Sequence, residues 1–87
     1  PGQEMAHFLK GVSVVTGRTI TEADLDKCLS TEFGLDELDI SECLIIAEEA
    51  WAALSPRSDM TQNQLDQQTD SFQTLDDIIN YVQRFRG

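Results

Sequence analysis

Apolar residues at Met5, Phe8, Leu9, Val12 and Val15 recur at spacings of three and four, which predicts a helix from about Glu4 to Val15. Thr16-Gly17 ends it, with Gly17 suited to a left-handed C-cap. Thr21 then reads as an N-cap followed by first-turn acids, and Leu25, Cys28 and Leu29 predict a short amphipathic turn or two. Residues 30–36 read as loop, with Phe33 as a buried anchor and Gly34 as the turn residue. Asp36 is the expected N-cap of a central helix running to about Leu54 and stopped by Ser55-Pro56. On that helix Leu38, Ile45, Trp51 and Leu54 are assigned to one apolar face, widened by Leu44 and Ile46, as for a helix packed on two sides. Residues 55–73 are polar, and a marginal short helix is expected from Thr61 to about Gln68, anchored by Leu65 alone. Thr74 caps the last helix with Asp77 three residues on, and Leu75, Ile78, Ile79, Val82 and Phe85 form its core face. Arg84 and Arg86 fall in its last turn, where cations are favourable.

These elements predict an all-α fold, a small bundle of three main helices plus one or two short ones. The 87 residues make one domain, 1–87, with residues 1–3 expected to be disordered or extraneous to the native sequence. A hydrophobic fraction of 40% is enough for a compact fold and too high for a disordered acidic tail.

Charge narrows the partners. The net charge is −10 and the pI about 4.1. Nucleic acid is not an expected partner because its phosphates require Lys and Arg, and an acidic membrane surface is not expected for the same reason. A basic protein surface is the natural complement. Ten acids lie between Glu22 and Glu49, offset there only by Lys27. They are either a solvated face or a docking surface. Cys28 and Cys43 lie among apolar residues on predicted helices and are expected to be buried, reduced thiols, which implies a cytoplasmic compartment. Zinc would need more ligands than two Cys and His7 supply. Asp36, Asp39 and Glu42 lack the alternating acids and central Gly of a calcium loop, so no metal site is expected. The longest apolar run, Cys43 to Ala47, is too short to span a bilayer. His7 sits one position off the apolar face and is expected on the surface. No nucleophile–base pair is apparent, so no catalytic residues and no enzymatic activity are expected.

The stretch Gly34-Leu35-Asp36-Glu37-Leu38-Asp39 resembles the Gly-x-Asp-Ser-Leu-Asp signature of acyl carrier proteins. A second match is Phe72-Gln73-Thr74-Leu75-Asp76-Asp77-Ile78, which is similar to the start of that family's last helix, and Ala47-Glu48-Glu49-Ala50-Trp51 matches its Glu-Glu pair and aromatic. The resemblance implies a carrier-like bundle whose phosphopantetheine-bearing Ser is replaced by Glu37. A carboxylate cannot form that phosphodiester, so no cofactor is expected. Ser41, the one nearby hydroxyl, is a turn too far into the helix and is expected to bond the carbonyl four residues back. Ser41, Cys43 and Ala47 stand where the family has larger aliphatic residues. The resemblance further implies that Asp36, Glu37, Leu38, Asp39, Glu42, Glu48 and Glu49 would dock a basic patch of a biosynthetic or assembly protein. The expectation is a monomeric, non-enzymatic docking module. The alternative is a working acyl or peptidyl carrier of fatty-acid, polyketide or nonribosomal peptide synthesis, present here as a Ser-to-Glu variant or modified elsewhere, and only then bearing phosphopantetheine.

Overall fold

The computed structural model describes residues 2–53 and 60–85. They form five helices: α1 (Gly2–Thr16), α2 (Leu29–Glu32), α3 (Glu37–Ala50), α4 (Gln62–Ser71) and α5 (Leu75–Gln83), with a single 3-10 turn at Glu22–Asp24. The chain is all-α, a small helical bundle in which α3 packs against α1, α4 and α5.

α1 buries Phe8 and Val12, with Met5, Leu9 and Val15 packed beside them, as the spacing predicts. It starts at Gly2, so Gly2 and Gln3 lie in its first turn. It ends at Gly17, whose φ of +70° is left-handed. Ser13 ties down the turn that follows. Its hydroxyl donates to the Leu9 carbonyl at 2.7 Å and accepts from the Ile20 N–H at 2.9 Å, which seats Ile20 in the core.

The linker from Leu25 to Leu35 is held by backbone bonds to the start of α5. The Asp76 N–H donates to the Leu25 carbonyl at 3.1 Å, and the Leu29 N–H to the Gln73 carbonyl at 2.8 Å. Cys28 therefore has extended backbone, bridged antiparallel to Thr74, and does not lie on a helix. Within the predicted 30–36 loop, α2 takes the first residues, and Leu35 rather than Phe33 is the buried anchor. Phe33 is half-buried, and the Arg18 guanidinium lies 5.7 Å above its ring.

α3 is shorter than predicted, ending at Ala50, with Ala52 at a φ of +52°. Leu54 and Ser55-Pro56 lie outside the described residues. Its buried side is Ile40, Cys43, Leu44 and Ala47, followed by Trp51, whose ring sits 5.4 Å from that of Phe8. The predicted face is corrected accordingly: Leu38 and Ile45 share a face, but it is the outward one. α4 reaches Ser71, beyond the predicted Gln68. α5 buries Leu75, Ile78, Ile79 and Val82 as predicted. It ends at Gln83, with Arg84 as its C-cap, so the predicted place of Arg84 inside the last turn is one residue off. Arg86 lies outside the described residues. Tyr81 packs between Phe72 and Phe85 and accepts a hydrogen bond from the Gln68 side chain. Among the described residues no helix is long and apolar enough to cross a membrane.

Candidate functional site

Gly34, at a φ of +64°, turns the chain into α3. Asp36 and Asp39 then close a reciprocal box. The Asp39 N–H donates to Asp36 Oδ1 at 2.9 Å, and the Asp36 N–H to Asp39 Oδ2 at 3.3 Å. Both carboxylates therefore serve the helix start, as the N-cap reading expects. Glu37, the first residue of α3, is exposed.

Beyond that junction α3 presents one outward stripe: Leu38, Glu42, Ile45 and Glu49, at intervals of four, three and four, so that all lie on one side of the helix. Leu38 is 76% exposed and Ile45 39%. Of the seven sequence-predicted docking residues, Leu38, Glu42 and Glu49 belong to this stripe. Glu48 is half-buried on its flank, two turns along from half-buried Ser41. Asp36 and Asp39 are engaged in the cap, and Glu37 faces a cleft. Ile45 completes the stripe; its spacing of seven from Leu38 is the signal that could have assigned it there. Lys27, the lone cation of the acidic stretch, pairs with Asp24 at 2.8 Å.

The cleft is an open hollow of about 630 Å³ between α2, the start of α3 and the end of α4. Leu35, Ile40 and Phe72 form its buried walls, with Asp36, Glu37 and Asp70 exposed around it. Cys28 and Ser30 stand on the side of α2, and Thr69 and Gln73 complete it. Cys28 corrects a sequence expectation, because it is half-exposed rather than buried. Its Sγ lies 3.4 Å from the Ser30 hydroxyl. The Ser30 and Thr31 hydroxyls, then the backbone N–H groups of both residues, hold its thiol down at about 6. Cys43 is the opposite case. Burial, with Asp39 and Glu42 nearby, pushes its thiol up to about 12.

His7 is exposed, as expected, beside Glu49 and Ala50 in a shallow groove. Among the described residues no three His, Cys, Asp or Glu side chains converge as metal ligands would. No protein-family model matches the chain, nor does any curated protein or solved structure.

Proposed function

We propose that this protein is a non-catalytic docking module that offers the outward stripe of α3 to a basic, partly apolar surface of a biosynthetic or assembly protein. One observation carries the reading: a helix start rich in carboxylates also leaves Leu38 76% exposed, with Ile45 two turns on along the same side. Val14 on α1 is exposed to 79% as well, so the support comes from Leu38 and Ile45 alternating with Glu42 and Glu49 along one side of α3, not from exposure alone. Alternating aliphatic and acidic positions complement an amphipathic basic helix, in which apolar anchors supply affinity and charges supply steering. The resemblance of Gly34 to Asp39 to the carrier signature supports the same side of α3 as the docking side.

The test is NMR titration with a synthetic amphipathic Leu/Lys helix. Amide shifts are expected to concentrate on Leu38, Glu42, Ile45 and Glu49, and Leu38→Ala is expected to weaken binding about tenfold, the cost of losing roughly 1.4 kcal/mol of buried aliphatic contact. Shifts spread evenly over the acids of α4 and α5 would reduce the stripe to a solvated face.

The second reading, a carrier, draws on the place of Glu37, exposed beside a cleft at the position matching the family's Ser. Incubation with coenzyme A and a phosphopantetheinyl transferase tests whether this chain is modified at a residue other than Glu37. Unchanged mass is expected, and a gain of about 340 Da would overturn the docking-only reading.

A further inference from the structure

The cleft holds two features that folding alone leaves unexplained. The first is Thr69. It is only 7% exposed, the one polar residue in the buried set among the described residues, and it lines the cleft. Its backbone carbonyl accepts from the Phe72 N–H, but its hydroxyl makes no hydrogen bond to a described residue. Val would fill the same volume, so packing alone does not call for a hydroxyl at this point of the cleft wall. The second is Cys28, a half-exposed thiol that lines the same hollow, with the Ser30 hydroxyl at 3.4 Å. The carboxylates of Asp36, Glu37 and Asp70 surround the opening, and Leu35, Ile40 and Phe72 give it apolar walls.

We infer that this cleft binds small aminothiol compounds in their disulfide form and that Cys28 captures them as a mixed disulfide. Each part of such a compound has a counterpart. The carboxylates attract its ammonium group, the apolar walls take its methylene chain, and the Thr69 hydroxyl accepts a hydrogen bond from one of the ammonium's three donors. The Cys28 sulfur attacks one sulfur of the disulfide. A new S–S bond forms to Cys28, the original S–S bond breaks, and the second half leaves as a thiolate that takes up the proton lost from Cys28. Cys28 is oxidised, the departing sulfur is reduced, and the disulfide is the oxidant. A thiol held at about 6 is mostly thiolate at neutral pH, which supplies the nucleophile, whereas Cys43 is protonated and buried. Lowered basicity also reduces intrinsic nucleophilicity, so thiolate fraction alone gives only a several-fold gain. The cleft must therefore provide the selectivity, and selectivity is the quantity to measure.

The experiment compares cystamine with the neutral bis(2-hydroxyethyl) disulfide at low ionic strength. Adducts are followed by intact mass, and each rate is divided by that of the urea-unfolded chain. Expected is one adduct, lost in Cys28→Ser, with a normalised preference for cystamine of at least tenfold. That preference should fall toward unity in Glu37→Gln/Asp70→Asn and drop several-fold in Thr69→Val, while the rate with the neutral disulfide stays within twofold. A wild-type preference near one, or a preference that survives both variants, overturns the inference. So does modification of Cys43 at a comparable rate. No partner protein is involved, so the outcome is separate from that of the docking test.

Discussion

At the scale of single residues, Gly11 shows how closely the two longest helices meet. A Cβ added there would lie 2.6 Å from Ile46 Cγ2 and 3.1 Å from Cδ1. Ile46 cannot easily swing away, because a β-branched side chain in a helix is held to one rotamer. Two effects oppose each other in Gly11→Ala. Helix propensity favours Ala by about 1 kcal/mol, and overpacking costs about 1–3 kcal/mol. Overpacking is expected to win, with a net loss of about 1 kcal/mol in urea denaturation. In an Ile46→Ala background the clash is gone, and the same Gly11→Ala change is expected to stabilise by several tenths of a kcal/mol. A loss of equal size in both backgrounds would place the strain elsewhere.

At the scale of elements, the helices differ in what holds them. α5 buries four aliphatic side chains along one face. α4 buries Thr69 and half-buries Leu65, Asp66 and Gln68, and its other residues are Gln, Asn, Asp and Ser in solvent. Its start rests on a local device. Thr61 Oγ1 accepts from the Gln64 N–H at 3.2 Å, and Gln64 Oε1 accepts from the Thr61 N–H at 2.9 Å. A helix held more by its cap than by its packing opens by itself. Amide exchange in α4 is expected to be at least tenfold faster than in α3 or α5. Thr61→Ala, at about 1 kcal/mol, should speed it a further fivefold or so and leave the other helices unchanged. Equal protection in α4 and α5 would show that α4 opens only with the whole fold.

At the scale of the whole molecule, a net charge of −10 on 87 residues sets the response to salt. Surface carboxylates repel one another in the compact state more than in the expanded one. Raising NaCl from about 0.01 M to 0.15 M shortens the screening length from roughly 30 Å to 8 Å. The unfolding free energy is expected to rise by on the order of 1 kcal/mol, read as a higher urea midpoint at an unchanged slope. A falling midpoint would mean that attractive pairs such as Lys27–Asp24 outweigh the repulsion. The same screening would weaken the proposed docking, so salt should move stability and binding in opposite directions.

The sequence by itself determined what is local. Spacing placed α1 and the buried face of α5, because an amphipathic period needs no knowledge of partners. The caps at Asp36, Thr61 and Thr74 were legible because each is a side chain bonding a backbone group three residues on. Tertiary structure decided which side of α3 faces in. Apolar residues occupy most of that helix's circumference, since it packs against α1, α4 and α5 at once, so the period alone fixed no inward direction and Leu38 and Ile45 could be taken for core. It also decided the fate of Cys28. Residues distant in sequence, Gln73 and Thr74, pull its backbone into an extended strap and leave the thiol half-exposed. The proposed cleft followed from the same arrangement. Thr69 on α4, Cys28 before α2 and Glu37 at the start of α3 lie in separate parts of the sequence and share no motif, and only the packing of their elements sets them around one hollow.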